Sequence, residues 1–316
     1  MTAENDPTWT VVTTQRAWIG FWLLSLIWGS SFLFIRIGVE QLSTFQLVFI
    51  RTGIAAVGLN IVVYLRGKRL PTDRAGIRDI VILGVVNTVI PFALITWGEK
   101  SIESGLAAVL QATAALFTMV IAHFAFTDER VTRRTLAGLA CGFAGVVVLA
   151  TRRTTGDAIG SDASLQVLGQ LAIVAASFCY ALGGVYSRKA IQRRLEPIVA
   201  AAGAMTVTAA ISGVVAYAAP WLGGAAPAVL GDLTPHVLGA ILTLGVLNTF
   251  VAYLIFYATI ETLGAARASM VTYVIPAVGL TLGALFLDEP VDMQLLTGAA
   301  MIVGSIGICS AGAARR

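Results

Sequence analysis

The sequence contains little charge. Asp, Glu, Lys and Arg together make up 12% of its 316 residues, about half of the roughly 25% found in soluble domains. Hydrophobic residues make up 57%, and they are grouped in runs of about 20, the length that a helix needs to cross the hydrocarbon core of a bilayer. These runs do not show the alternating polar and apolar residues of a barrel strand. The sequence therefore predicts an all-α integral membrane protein.

The sequence is also poor in residues that bind metals or carry out catalysis. Its three cysteines, Cys141, Cys179 and Cys309, all lie in apolar runs without metal-ligand spacing, and we expect no disulfide, metal or cofactor. Its two histidines, His123 and His236, are too few to build a catalytic centre without carboxylates inside the membrane. No loop is long enough for a soluble sensory domain. A membrane enzyme or a non-transporting receptor is therefore the least favoured function.

Apolar runs separated by charged and turn-forming residues predict ten transmembrane helices. Their approximate bounds are 17–35, 44–65, 78–97, 104–126, 135–151, 165–187, 197–219, 237–258, 264–287 and 291–311. The fifth run is short, and its Gly138, Gly142 and Gly145 have the small-residue spacing that allows close helix packing. Residues 1–16 contain Glu4 and Asp6 and lack a basic segment, so we expect no cleaved signal peptide.

The basic residues indicate how these helices are oriented, because cytoplasmic loops carry an excess of Lys and Arg. With the N-terminus inside, the inner segments contain 15 basic residues and the outer segments 4, which are Arg36, Lys100, Arg152 and Arg153. We therefore predict a multi-pass protein of the plasma or inner membrane with both termini cytoplasmic. The pair Arg152 and Arg153 fits this topology least well. Because the basic residues lie between apolar runs, the net charge of +4 reflects topology rather than nucleic-acid binding.

Three landmarks recur in the same order in the two halves of the chain. The matching segments are 84–88 (GVVNT) with 245–249 (GVLNT), Asp128-Glu129 with Asp288-Glu289, and 25–36 with 177–188, which pairs Trp28 with Tyr180. They predict a duplicated five-helix unit, and an odd number of spans places the second copy upside down in the membrane. Inverted repeats of this kind hold their substrate sites near the middle of the bilayer. The predicted parts are a cytoplasmic tail (1–16), a first repeat (17–151), an external linker (152–164), a second repeat (165–311) and a cytoplasmic tail (312–316).

Several of these segments resemble the drug/metabolite transporter superfamily of the EamA-domain type. The resemblance is carried by Trp28-Gly29-Ser30-Ser31-Phe32, by Arg51, by the run from Ala107 through Phe117 to Asp128-Glu129-Arg130, by Met270 to Pro276, and by Asp288-Glu289-Pro290. It covers nearly the whole chain and implies a ten-helix transporter that usually exports amino acids or related metabolites. One departure lies in helix 4, where similar proteins often have proline and this chain has Ala114-Ala115-Leu116, whereas helix 9 keeps Pro276. The two halves are therefore expected to bend unequally.

Three amide side chains near the middle of predicted spans are candidate substrate-binding residues. They are Asn87 and Asn248, which occupy equivalent places in the two repeats, and Gln111 in helix 4. A buried amide needs a hydrogen-bond partner. These residues either contact substrate or hydrogen-bond neighbouring helices, and the sequence leaves both interpretations open. We expect Asn87 and Asn248 to face a shared central cavity.

Four aromatic residues complete the candidate site: Trp28, Tyr180, Tyr253 and Tyr273. Interfacial Trp and Tyr residues normally lie at headgroup level, and these residues are predicted to lie deeper. They either line a cavity or pack with a hydrogen-bonded hydroxyl or indole N–H. The pairing of Trp28 with Tyr180 in the repeat favours a cavity.

Acidic residues are predicted to be absent from the interior of the spans. Those nearest to the membrane are placed at helix ends: Glu99, Glu103, Glu261, Asp288 and Asp292. Proton pumps and many coupled carriers use an intramembrane carboxylate, so we expect no strong ion coupling and no strongly cationic substrate. Arg51 is expected to extend towards the membrane surface, and His123 is interpreted as a packing residue rather than a proton relay.

These features together predict a membrane transporter of small metabolites. The favoured function is export of amino acids or related compounds by alternating access at a central cavity. The alternative is a carrier for larger amphipathic solutes such as drugs, vitamins or purines. The expected partners are a small-molecule substrate and the lipid bilayer, with no nucleic acid, for a protein that is a monomer or a homodimer.

Overall fold

The computed structural model describes residues 7–126, 132–152, 163–193, 195–223 and 226–313. Within these ranges the chain is helical and contains no strand, as predicted. The long helices are, in chain order, α1 Pro7–Gly38, α2 Thr44–Leu65, α3 Arg74–Gly98, α4 Ser104–Ala125, α5 Arg133–Ala150, α6 Ala163–Arg193, α7 Pro197–Ala218, α8 Pro235–Leu263, α9 Val271–Phe286 and α10 Met293–Ala313. Short 3₁₀ turns follow α7 at Ala219–Leu222 and Leu230–Asp232.

The helices have the length and surface of a multi-pass membrane protein. Nine helices within the described ranges are long and apolar enough to cross a membrane, and α10 contains a shorter apolar stretch, Met293–Cys309. Large apolar side chains such as Trp22, Leu26 and Tyr64 are exposed on the outside of the bundle, where lipid rather than water would surround them. Asp128-Glu129, most of the predicted linker and the extreme ends of both tails lie outside the described residues. The orientation in the membrane stays a prediction.

Polar residues and prolines determine where several helices begin. Ser43, Asp73 and Thr132 each accept a hydrogen bond from the backbone N–H three residues later, at the start of α2, α3 and α5. Such caps satisfy one of the N–H groups that a helix leaves unpaired in its first turn. Pro197 and Pro235 occupy the first turn of α7 and α8, where a missing N–H has no cost.

One π-helical turn interrupts α3 and one interrupts α8, at equivalent places in the two repeats. These turns are Val85–Val89 and Val246–Val251, and they contain Asn87 and Asn248. In α8 the hydroxyl of Thr249 donates to the carbonyl five residues earlier, at 2.7 Å, and so occupies a backbone acceptor within the widened turn. Single π turns inside α-helices are frequent at functional sites.

Breaks also occur within α4 and directly before α9, the helices that follow those with the π turns. α4 breaks at Ala112, and a short helix, Ala265–Ser269, is separated from α9 at Met270. Just after the breaks, the hydroxyls of Thr113 and Thr272 donate to the carbonyl three residues earlier. Pro276 lies farther along, inside α9. The break in α4 therefore forms without the proline that similar proteins often have there.

The helices of the two repeats pack mainly against each other. α2 lies along α7 and α5 lies along α10, while α4 crosses α9. α1 packs against α8 and α9, and in the same manner α6 packs against α3 and α4. Each of these contacts between two helices recurs between the equivalent helices when the first and second repeats are interchanged. The halves are therefore intertwined, and helices from both repeats surround the centre of the bundle.

The equivalence of the repeats extends to single contacts. Gly84, at the start of the π turn of α3, lies against Val207 on α7, and Gly245, at the start of the π turn of α8, lies against Ile54 on α2. Ile54 and Val207 are both the eleventh residue of a 22-residue helix. A side chain at either glycine would overlap its neighbour, so these close crossings require glycine.

Candidate transport site

Arg51 lies in the first half of α2 and is buried, with 7% of its surface exposed. Its Nε atom donates to Oγ1 of Thr249 on α8 at 2.8 Å, and its guanidinium carbon lies 4.2 Å from the centroid of the Phe92 ring on α3. The prediction that Arg51 extends to the membrane surface is therefore wrong. It failed because this face of α2 packs against α3 and α8 rather than facing lipid. A buried cation inside a membrane protein is expensive and usually functional.

Three of the predicted residues surround this arginine. Tyr180 on α6 and Tyr253 on α8 lie near the guanidinium group, and the ring centroid of Tyr180 lies 6.5 Å from that of Phe92. Gln111, next to the break in α4, hydrogen-bonds the Tyr180 side chain. Five helices drawn from both repeats therefore meet at one polar position. We call it the Arg51 site and define it by Arg51, Phe92, Gln111, Tyr180, Thr249 and Tyr253.

A row of aromatic rings leads from this site to α1. The ring centroids are 6.0 Å apart for Tyr253 and Tyr257, 5.8 Å for Tyr257 and Phe256, and 5.1 Å for Phe256 and Trp28. Trp28 is half-buried. The structure thus connects Trp28 to the Arg51 site through neighbouring rings that are tilted by 44–50° to one another.

The two asparagines lie against different helices. Nδ2 of Asn248 donates to the backbone carbonyl of Ile27 and, at 2.9 Å, to Oγ of Ser30, both on α1. Asn87 lies against Gly183 on α6, where a side chain would overlap it. Each amide therefore contacts the first helix of a repeat, which favours the helix-packing interpretation for Asn248. Substrate contact by either residue stays a prediction.

Tyr273 and His123 are placed by other contacts. Tyr273 on α9 packs, half-buried, against the apolar core that includes Leu106 and Leu116 of α4. The ring of His123 meets the edge of Phe124 at 5.0 Å near the end of α4. A substrate role for Tyr273 also stays a prediction.

An ion-pair network lies at the end of the bundle from which the predicted linker leaves, which we call the linker end. Arg152, after α5, pairs with Glu103 before α4 and with Asp292 before α10, the latter at 2.7 Å. It also donates to the carbonyl of Pro290 at 3.0 Å. Arg152 and Glu103 are both almost fully buried. Carboxylates thus compensate the Arg152 charge, and this explains a basic residue on the side that the charge count predicts to be external. Its neighbour Arg153 lies outside the described residues.

The second repeat also caps a helix of the first at the linker end. The Glu289 carboxylate accepts from the backbone N–H groups of Ser104 and Gly105, at 2.7 and 2.9 Å. The preceding residue, Asp288, has a left-handed backbone with φ of 53°, a conformation that Asp tolerates better than most residues. A side chain at Gly283 would overlap the Glu289 carboxylate. The negative charge at the start of α4 is favourable for the helix dipole.

Glu99, directly after α3, is completely buried at the linker end. Its backbone carbonyl accepts from Nη1 of Arg36 at 2.6 Å, but neither carboxyl oxygen has a hydrogen-bond partner among the described residues. Burial, followed by the charge of Glu289, raises the pKa of the Glu99 carboxyl well above its usual range, whereas Arg36 and Arg51 act in the opposite direction. Its position at a helix end was predicted correctly, but its burial was missed.

Asp79 corrects the prediction that no carboxylate lies within a span. α3 begins at Arg74, earlier than predicted, so Asp79 lies inside the helix. It is buried, and its Oδ1 accepts from the Tyr186 hydroxyl on α6 at 2.7 Å. The apolar run alone placed the start of α3 too late, because the first residues of the helix include the charged Arg74, Arg78 and Asp79.

The comparisons with known proteins agree with this architecture. An uncharacterized transporter of Archaeoglobus fulgidus is 27% identical over 93% of this chain and 98% of its own length. The uncharacterized inner membrane transporter YedA of Escherichia coli K12 is 29% identical over 82% of this chain and 79% of its own. A probable amino-acid metabolite efflux pump of Salmonella typhimurium is 25% identical over 90% of this chain and 92% of its own.

A solved structure and a family model complete the assignment. The solved structure, described as the crystal structure of a protein, has a TM-score of 0.66 at 20% identity and covers 95% of this chain and 98% of its own, which supports the fold. The model of the EamA-like transporter family matches twice, over residues 16–151 and 167–311, once in each repeat. Since these matches span most of the sequence, the chain belongs to the EamA-like transporter family.

Proposed function

We propose that the protein exports small metabolites that carry a carboxylate, of the amino-acid class, by alternating access around the Arg51 site. The observation that supports this most directly is the buried guanidinium group of Arg51, held where helices of both repeats meet. A transporter site between the repeats is the arrangement expected for this type of protein.

The chemistry of Arg51 favours an anionic group on the substrate. None of the ion pairs among the described residues involves Arg51, and its guanidinium group donates to the neutral hydroxyl of Thr249. A buried cation without a counter-charge is unfavourable. A guanidinium group binds a carboxylate through two parallel hydrogen bonds, so a substrate carboxylate would supply the compensating charge.

The remaining groups of the site suit the rest of an amino acid. Tyr180, Tyr253 and Gln111 offer hydroxyl and amide groups for hydrogen bonds, and aromatic faces attract ammonium groups. The Salmonella relative that is named a probable amino-acid metabolite efflux pump, at 25% identity, supports both the substrate class and the direction of transport.

The aromatic row favours a second candidate, the carrier of larger amphipathic solutes. The rings from Trp28 to Tyr253 form a row of neighbouring aromatic side chains beside the Arg51 site, and aromatic side chains bind the flat apolar parts of ligands. The two candidates differ in the size of the preferred substrate and share the anchoring of a negative group by Arg51.

The helix pairing also supports a specific form of alternating access, with the repeats inverted in the membrane. α1, α8 and α9 pack as one group, and α6, α3 and α4 as the other. Each group contains helices of both repeats, and in this proposal the two groups move against each other. The duplication alone would instead suggest that one repeat moves against the other. The bond from Arg36 on α1 to the Glu99 carbonyl after α3 joins the groups at the linker end and would break when that end opens.

The proposal is tested by Arg51→Met in purified protein reconstituted into liposomes. We expect transport of amino acids to fall about a hundredfold or more, because a buried charged hydrogen bond and its ion pair are each worth about 1.5–3 kcal/mol. The matched control is Arg66→Met, which removes an exposed arginine at the end of the same helix and should leave transport unchanged.

A substrate series then separates the two candidates. Counterflow is measured for amino acids, for their amides, which lack the carboxylate, and for larger aromatic carboxylates. Preference for amino acids over their amides supports the proposal, and preference for the large aromatic compounds supports the second candidate. Transport by Arg51→Met at the wild-type rate, with normal thermal stability, contradicts both.

A further inference from the structure

Glu99 differs from the other described carboxylates at the linker end. Glu103 and Asp292 pair with Arg152, and Glu289 accepts two backbone N–H groups. Glu99 is 0% exposed, and in the part of the chain that the structure describes its two carboxyl oxygens have no hydrogen-bond partner. A carboxyl group in such surroundings is stable when it is neutral or when cations compensate its charge.

Several elements bring charge to this carboxyl group. Arg36 and Arg51 attract its ionised form, and Glu289 repels it. The charged groups that act on it are, by element, Arg36 on α1, Arg51 on α2 and Glu289 in the turn after α9. Lys100 and Glu103 follow it in the same turn of the chain. Arg51 belongs to the proposed substrate site. Glu99 is therefore electrostatically linked to the group that we expect to hold the substrate.

α6 approaches this region through Gly169 and Gln170. Gly98 and Gly169 lie so close that a side chain on either would crowd the carbonyl of the other. The next residue, Gln170, is 3% exposed, and neither of its amide atoms has a partner in the described structure. Unpartnered buried polar groups are uncommon. Glu99 and Gln170 both have such groups. They directly follow Gly98 and Gly169, which are in contact with each other.

We propose that Glu99 takes up a proton when a substrate carboxylate binds at Arg51. Without substrate, the charge of Arg51 favours the ionised form of Glu99 and so limits the rise of its pKa. When a substrate carboxylate neutralises Arg51, this attraction is lost, and those molecules in which Glu99 is still ionised bind a proton from water, so that the anion and the proton are bound together. By reciprocity, protonation of Glu99 strengthens substrate binding by the same factor by which substrate strengthens proton binding.

The surroundings of Glu99 make this step accessible. Because burial raises its pKa, Glu99 takes up a proton at higher pH than an exposed glutamate does. The sequence-based expectation of weak ion coupling considered only carboxylates inside the spans. Glu99 lies just beyond the end of α3, yet the packing of the bundle buries it as deeply as a residue within a span. The proposal depends on the substrate site proposed above, and its tests are therefore divided into steps with and without substrate.

The first test needs no substrate. Infrared spectra of the purified protein in lipid nanodiscs are recorded as a function of pH. We expect a protonated carboxyl band that persists above the pH range of exposed glutamates, is absent in Glu99→Gln, and is retained in Glu261→Gln, the matched change at an exposed residue near the end of α8. Arg51→Met should move the titration of this band to higher pH, because a cation that favours the carboxylate is lost. Absence of the band, or titration in the range of exposed glutamates, overturns the proposal.

The second test measures coupling. L-leucine and, as a control without a carboxylate, L-leucinamide are added to weakly buffered protein that contains a pH indicator. We expect proton uptake with leucine, none with leucinamide, and none with leucine in Glu99→Gln, whose affinity for leucine should no longer depend on pH. Binding of leucine to the wild type without proton uptake contradicts the proposal. If leucine does not bind but Arg51→Met still shifts the infrared titration, the link between Glu99 and Arg51 is supported and the proposed substrate class is wrong.

Discussion

The π turns of α3 and α8 face different side chains on the helices that cross them. The π turn of α8 faces α2, whose eighth residue is Arg51, and Arg51 donates to Thr249. At α3, the eighth residue of α7 is Ala204, and Oγ1 of Thr88, the counterpart of Thr249, is buried without a partner among the described residues. The glycines of both crossings contact equivalent positions, Gly84 at Val207 and Gly245 at Ile54. Duplication therefore supplies the crossing geometry twice, but of the two equivalent residues, Arg51 and Ala204, only Arg51 carries a charge.

The same asymmetry is found where α3 and α8 end. Glu99 follows α3 and is completely buried, whereas Glu261, close to the end of α8, is exposed. The first repeat thus carries both the cation and the buried acid. A symmetric framework holds an asymmetric site, and paired substitutions at equivalent positions can measure how far the asymmetry determines function.

The largest expected difference is between Thr249→Val and Thr88→Val. Thr249→Val removes a hydrogen bond to a buried cation, worth about 1.5–3 kcal/mol, and should lower transport about tenfold or more. Thr88→Val removes a hydroxyl that lacks a partner among the residues the structure describes, and it should leave transport unchanged and thermal stability unchanged or slightly improved. Transport assays in liposomes check both variants. Equal losses of transport in the two variants would show that the two repeats contribute alike and would contradict the proposed asymmetry.

A smaller difference is expected between Glu99→Gln and Glu261→Gln in the pH dependence of thermal stability. Because the pKa of Glu99 is raised in the folded protein, its contribution to stability is fully present below the pKa of the unfolded chain and is lost as pH rises through the folded pKa. Glu99→Gln should therefore remove a decline in melting temperature towards high pH. Glu261→Gln should keep the wild-type profile, and a wild-type profile in Glu99→Gln would contradict the assignment.

The smallest effect is expected at the asparagines of the π turns. Asn248→Leu removes two hydrogen bonds to α1, and hydrogen bonds within membranes are worth about 0.6 kcal/mol on average, so we expect a modest loss of thermal stability. For Asn87→Leu at the equivalent position, a loss of transport with unchanged stability would indicate substrate contact. Intact transport in both variants would exclude both residues from the site.

The sequence predicted the helices and the duplication because these depend on local features. Apolar runs specify spans, and the recurrence of GVVNT as GVLNT marked the place of both π turns. Burial of Arg51 and Glu99 could not be predicted in this way, because it depends on α8 and on the turn after α9, which are 150 or more residues away in the sequence. Tyr180, Tyr253 and Gln111 were found through their polarity at predicted membrane depth. Phe92 was missed, because an aromatic residue in an apolar run carries no signal of the cation beside it.

The intertwined packing of the repeats has a consequence for how the protein is made. The principal partners of α1 and α2 are α7, α8 and α9, which leave the ribosome much later. At about 5–20 residues per second, the first five helices wait on the order of ten seconds in the membrane before the helices that bury Arg51 are available. During this interval Arg51 has neither Thr249 nor the aromatic residues of the second repeat beside it. The insertion machinery, or lipid and water near the headgroups, has to accommodate this charge until synthesis is complete.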